Sequence, residues 1–315
     1  MPPPTASRSG WNRSTARRST TCDGTETSDG TETSDAGRRS RLPRILLAGL
    51  LVVQSVLALI VIAALSPTAS SPGWEVRVVN LAGTRADPLL NRVRAEMPDA
   101  VGAVERFWGT DWTREIVVVA TGAPEQFVAE AGLDPSGEWA DIAAVAVAGG
   151  VDPVHRRVSG QRIVLAPGAA AMSDSALRIV LTHELFHLAA RADTAVDAPR
   201  WLTEGVADFV ARAPSALPPD AGSSTALPSD ADLDIPGPDR AAGYDRAWWF
   251  ARFVADTYGD DGLRRLYGQA CGPGHGDLRE SVHDALGEDL VEVSGRWAAW
   301  LDEKSSAPTG TLRGR

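Results

Sequence analysis

The sequence predicts an α+β domain, strand-rich in its N-terminal part and helical in its C-terminal part, preceded by one transmembrane helix. Three observations predict this. A charge-free run of apolar residues spans 45–65. Short β-branched runs are confined to residues 74–167, and apolar residues from Ser173 onward recur at helical spacing. Strands with a few helices first and helices alone afterwards is the order of an α+β fold rather than a doubly wound one.

Residues 1–44 are rich in Ser, Thr, Arg and Pro, and include the direct repeat "DGTETSDGTETSD". With almost nothing apolar to bury, this segment cannot offset its ordering entropy and is expected to be a disordered tail. "ILLAGLLVVQSVLALIVIAAL", Ile45 to Leu65, follows. At about 1.5 Å per residue it matches the roughly 30 Å hydrocarbon thickness of a bilayer. Arg38, Arg39, Arg41 and Arg44 precede it, so the positive-inside rule puts the N-terminus in the cytoplasm and the C-terminal domain outside. A cleaved signal peptide is the alternative, although the apolar run exceeds the usual length of one. Residues 66–73, rich in Ser and Pro, form a tether to a domain over 74–303, with 304–315 as a disordered tail.

Within that domain "WEVRVVN" (74–80) alternates as a strand does. Residues 87–107 carry a helical apolar face through Leu89, Val93, Met97, Val101, Val104 and Phe107. Pro98 leaves open whether this helix is kinked or split. "REIVVVAT" (114–121) is a strand, and "APEQFVAEAG" a short helix ending at Gly132. "IAAVAVAGG" (142–150) and "RRVSGQRIVLAP" (156–167) read as two strands joined by a turn through Asp152 and Pro153. The first of them is either an interior strand or an edge able to pair with an extended peptide. Residues 213–239 form a long loop rich in Pro, Ser and Asp, which either covers a cleft or is a neutral insertion.

Residues 66–315 carry 23 basic and 36 acidic side chains. So acidic a domain argues against nucleic acid as a partner. Cys22 and Cys271 are too few and too far apart for a disulfide scaffold or a cysteine metal knuckle.

The chemistry lies in "HELFHLAARADTAVDAPRWLTEGVAD", His183 to Asp208. His183 and His187 are one helical turn apart on one side of a helix capped by Ser173 or Asp174, where both imidazoles can reach one Zn²⁺. Glu184 projects beside that metal, placed to deprotonate a water. A catalytic zinc needs a third protein ligand, and Glu204 is the candidate. The "ADTAVDAP" turn lets the chain reverse into a second helix, "RWLTEGVADFVAR". Asp208 lies one turn beyond Glu204 and can accept the free N–H of a ligand histidine. The competing account, two histidines lining an apolar core face, would bury polar groups without partners.

"HELFH" followed by "WLTEGVADF" resembles the gluzincin branch of zinc metallopeptidases, and "GYDRAWWFARFVADTYGDDGLRRLY" with "LGEDLVEVSGRWAAWL" resembles peptidase MA-like chains within it. The resemblance is clear over about residues 160–302. It implies a zincin-like fold, Zn²⁺ bound by His183, His187 and Glu204, Glu184 as general base, and Asp208 as buttress of a ligand histidine. It also implies a donor to the oxyanion at Tyr244, for which a packing role at a helix start is the alternative. A third histidine at metzincin spacing and the Gly-x-Met-Glu-Asn run of related aminopeptidases are both missing, so an exopeptidase reading has no support. His155, His275 and His283 are isolated, Tyr258 and Tyr267 sit at core spacing, and a Cys271–His275 nucleophile lacks an orienting third group.

The expectation is therefore a membrane-anchored zinc peptidase acting on a protein or peptide outside the cytoplasm, with a catalytically inactive zincin-like binding module as the alternative. For the topology, a reporter fused after residue 310 should be active only outside the cytoplasm, and one fused at residue 20 only inside. Recovery of residues 66–315 in the medium as the main mature form would instead establish a cleaved signal.

Overall fold

A computed structural model describes residues 73–306, apart from 138, 140, 236 and 237. The expected tail 1–44, the apolar segment 45–65 and nearly all of the tether lie outside the described residues. Among the described residues no helix is long and apolar enough to cross a membrane.

A four-stranded sheet organises the first half. Strands β1 (Glu75–Asn80), β2 (Glu115–Ala120), β3 (Ala144–Val147) and β6 (Arg162–Leu165) lie in the order β1-β2-β6-β3. The first three in that order are parallel, and β3 runs antiparallel to β6 with Val145 opposite Val164. The β-branched run in β2 follows from burial on both faces. Ile116 and Val118 face helices α1 (Asp87–Trp108) and α3 (Asp174–Ala190), while Val119 packs with Phe127 of α2 (Pro124–Ala131). Helix α1 continues past Pro98, whose ring and the Arg94 four residues before it are both exposed. The carbonyl that proline deprives of a donor is thus on the wet side of the helix.

The two strands expected over 142–167 are four. β3 and β6 join the sheet, while β4 (Gly150–Asp152) and β5 (Arg157–Ser159) form a separate hairpin. The turn through Asp152 and Pro153 belongs to that hairpin. Arg156 ties it to the end of α3, donating to Asp193 at 2.6 Å and to Asp111 at 2.8 Å.

The second half is helical: α3, α4 (Arg200–Ala211), the short α5 (Asp230–Leu233), α6 (Pro238–Cys271), α7 (Leu278–Leu286) and α8 (Leu290–Ser306). Helix α8 runs through residues 304–306, expected to be tail; 307–315 lie outside the described residues. Gly259 breaks α6 with φ +78°, a conformation only glycine adopts cheaply. Phe250, Phe253, Trp297 and Trp300 form an aromatic cluster between α6 and α8.

The loop over 213–239 is not structureless. Leu217, Ala221 and Leu233 are buried, and α5 is closed by a reciprocal cap between Ser229 and Asp232. Asp230 accepts the Trp201 N–H at 2.7 Å, so the loop supplies the N-terminal anchor of α4.

Helix α4 is pressed against α6 where Gly205 meets Ala247, and a Cβ at 205 would overlap the Ala247 carbonyl. Gly205→Ala should therefore lower stability by about 1–3 kcal/mol, the usual cost of overpacking, measured by denaturant or thermal unfolding. An unchanged midpoint would mean that the two helices separate freely.

Candidate metal centre

Helix α3 begins at Ser173, whose hydroxyl accepts the Ala176 N–H at 3.2 Å. Leu177, Leu181, Leu185, Phe186 and Leu188 are buried in the core. That burial fixes the helix's rotation and turns His183, Glu184 and His187 to a cleft between α3, α4, β3 and α6. The cleft encloses about 540 Å³ and is also lined by Arg191, Arg200, Glu204, Tyr244 and Tyr267.

One ligand atom each from His183, His187 and Glu204 falls within 4.8 Å of the others. His183 Nε2 lies 3.2 Å from Glu204 Oε2 and 3.1 Å from His187 Nε2, which is 3.6 Å from Glu204 Oε1. On its far side His183 Nδ1 stands 3.0 Å from Asp208 Oδ1. With the Nδ1 proton donated to Asp208, a metal that displaced the proton on Nε2 would meet a lone pair aimed at the cluster. Two imidazole nitrogens facing one carboxylate across a common centre are a donor set that fits a divalent metal of zinc's type.

The buried charges are set against one another. Burial opposes a charge on His183, but Asp208 and Glu204 outweigh it and raise its pKa well above the usual imidazole value. Burial likewise opposes the Glu204 carboxylate, yet the charge of His187 and the hydrogen bond from His183 hold it well below the usual range. Glu184 moves the other way: burial is the largest effect and raises its pKa. Its Oε2 accepts the Ala146 N–H at 2.6 Å, so this carboxylate is fastened to β3.

β3 is an edge strand, with β6 on one side and the cleft on the other. Tyr244, near the start of α6, also lines the cleft. Burial, then the charge of Glu204, push its phenol up to about 12, so it stays a neutral donor. Tyr267, expected as core, is buried and also lines the cleft. Its hydroxyl meets Thr194 Oγ1 at 2.9 Å. Because Thr194 spends its own proton on the Ala190 carbonyl, the Tyr267 proton is committed to Thr194.

His155, His275 and His283 take no part in the cluster. Cys271 is buried and its thiol pKa is raised, mainly by burial, so it is no nucleophile. No described residue of the 213–239 loop lines the cleft.

Three participants were not singled out in the sequence. Ala146 acts through its backbone, which leaves no signal in side-chain identity. Arg191 continues the stripe of His183 and His187 by one more turn, and that spacing is the signal that could have found it. Arg212 donates to Asp208 Oδ2 at 3.1 Å and to Asp245 Oδ1 at 2.9 Å, and stacks 3.7 Å over the Trp248 ring. It stands four residues beyond Asp208, the spacing of a helical ion pair.

The chain matches no protein-family profile, no curated protein and no solved structure.

The relay from His183 through Asp208 to Arg212 predicts a hierarchy. Asp208→Asn should weaken metal retention by about 10–100-fold, the scale of losing a carboxylate behind a ligand histidine, and Arg212→Gln by less. The double variant should lose no more than Asp208→Asn alone, as read by competition with a chromogenic chelator. Additive losses would mean that Arg212 does not act through Asp208.

Proposed function

We propose that this protein is a zinc-dependent peptidase, held at the membrane by residues 45–65 and cleaving peptide bonds outside the cytoplasm. The observation that carries the reading is the convergence of His183, His187 and Glu204 on one point beside a carboxylate, Glu184, that is held against an edge strand. His183, His187 and Glu204 would hold the metal. Bound there, zinc would supply Lewis acidity toward a carbonyl and toward water.

The remaining roles belong to the chain's own groups. Glu184 takes a proton from the attacking water and returns it to the leaving amine. Its raised pKa suits both halves of that transfer, and its hydrogen bond to Ala146 fixes its orientation. β3 borders the cleft as an edge strand, and since Ala146 gives its N–H to Glu184 and its carbonyl to Arg191, an extended peptide would pair with the strand through the residues beside Ala146. Tyr244, neutral and facing Glu204, is the free phenol suited to donate to the oxyanion; Tyr267 has its proton engaged elsewhere.

The test uses the full-length chain. About one Zn²⁺ per chain is expected, lost in His183→Ala and in His187→Ala. Glu184→Gln should keep zinc and thermal stability while lowering turnover by about 10² or more. Tyr244→Phe should keep zinc and lower kcat by roughly 10²–10³ with little change in KM. A folded wild-type protein without zinc would sink the proposal. Zinc with no Glu184-dependent turnover would identify a zincin-like binding module instead, and a wild-type kcat in Tyr244→Phe would reduce the phenol to packing.

A further inference from the structure

Apart from the cluster of His183, His187 and Glu204 and the neighbouring Glu184, the cleft carries two charged side chains, Arg191 and Arg200. They are in different states. Arg200 is neutralised within the fold, its Nη2 donating to Asp234 Oδ1 at 2.5 Å and reaching the Asp230 carbonyl at 3.4 Å. Arg191 is half-buried at the end of α3, and its recorded hydrogen bond is from Nη2 to the Ala146 carbonyl at 2.8 Å. Among the described residues it pairs with no carboxylate, although the chain's other arginines in this region do.

The two carboxylates nearest in charge to Arg191 are committed. Glu184 accepts the Ala146 N–H, and Glu204 lies between the two histidines. A dication in the cluster would match both negative charges and leave Arg191 as surplus positive charge. An unmatched, partly desolvated guanidinium is costly to maintain. Its remaining N–H groups, in a planar fork, suit a carboxylate above other partners. The neighbouring lining residues Thr194, Ala195 and Val196 are uncharged, so the acidic groups an anion at Arg191 would face in the cleft are Glu184 and Glu204, whose charges a dication in the cluster would match.

Position sharpens the argument. Ala146 gives its N–H to Glu184 and its carbonyl to Arg191, so one residue of the edge strand links the base to the cation. A peptide lying along β3 with its scissile bond at Glu184 therefore passes Arg191 within a residue or two. The domain as a whole is strongly acidic and would repel anionic peptides at long range. Selection for a carboxylate then has to come from a local, oriented contact. We propose that Arg191 determines specificity in this cleft by binding a carboxylate of the substrate, from a Glu or Asp side chain or from the peptide's C-terminus. The inference rests on the peptidase reading and adds a substrate class to it.

The test uses the full-length protein loaded with zinc and a peptide library with Glu/Gln pairs at each position, each peptide made as free acid and as amide. For wild type, kcat/KM should favour the Glu peptide or the free acid by roughly 10–100-fold, the scale of one charge-assisted contact. Loss of the preference on amidation assigns it to the C-terminus; its survival assigns it to the side chain. Arg191→Gln should bring the ratio to about one with zinc retained, and Arg191→Lys should keep part of it. Fluorescence anisotropy with the Glu184→Gln protein should give the same ranking of binding without turnover, again lost when Arg191→Gln is added. Equal cleavage of acid and neutral members by wild type, or a preference that survives Arg191→Gln, overturns the role of Arg191 and leaves the peptidase standing. Arg191-dependent binding of acidic peptides with no cleavage of any library member keeps the anion site and overturns the peptidase.

Discussion

Helices α3 and α4 bury Asp208 and partly bury His183, Glu184, His187 and Glu204 at one contact, and the surrounding structure is arranged to make that burial tolerable. Removing one partner from a buried charge pair costs about 3–5 kcal/mol, because the other is left without compensation. Each group here has an answer. Glu204 sits between the two histidines, Asp208 is shared by His183 and Arg212, and Arg212 is shared by Asp208 and Asp245. Glu184 has only a backbone N–H, and its pKa rises where that of Glu204 falls. The same accounting that stabilises the contact thus separates a carboxylate suited to bind from one suited to move a proton.

The architecture serves this contact from three sides. The sheet fixes α3 through its apolar face, so the rotation of the histidines is set by leucine packing rather than by the polar groups. Helix α6 fixes α4 through the close approach at Gly205, and carries Tyr244 and Asp245 as successive residues, one toward the cleft and one toward Arg212. The 213–239 loop fixes the start of α4 through Asp230. Among its described residues that loop braces α4 and Arg200 and does not itself line the cleft.

How much of this was legible follows from where the interactions are local. His183 with His187, and Glu204 with Asp208, are one turn apart, so the sequence names them and their common face directly. Ser173 as a cap was legible for the same reason. The strand runs over 74–120 were legible from their β-branched content. The division of 142–167 into a sheet edge and a separate hairpin was not, because it depends on pairing across the chain: Val145 with Val164 and Gly150 with Ser159. Whether β3 was an edge or an interior strand was open for that reason too. The meeting of Arg191 with Ala146, 45 residues apart, left only the weak trace of helical spacing. Tyr267 read correctly as buried, but no periodicity could tell that one side of its ring faces a cleft.

The site also has a division of labour that bears on how it could diversify. The cluster of His183, His187 and Glu204 and its supports lie on α3 and α4, two helices locked by shared charges, where any single change unbalances a partner. Arg191, Thr194 and Val196 lie on the end of α3 and the turn after it, and none of them belongs to the network of Asp208 and Arg212. Arg191 meets Glu184 through a backbone residue, Ala146. Under the proposed function a substitution there would change what the cleft recognises without removing a hydrogen-bond partner from any member of the cluster. Substitutions at Glu204 or Asp208 cannot be confined in that way, since each answers a histidine. Under the proposed function, selectivity would be borne by the part of the wall outside that network, and chemistry by the part within it.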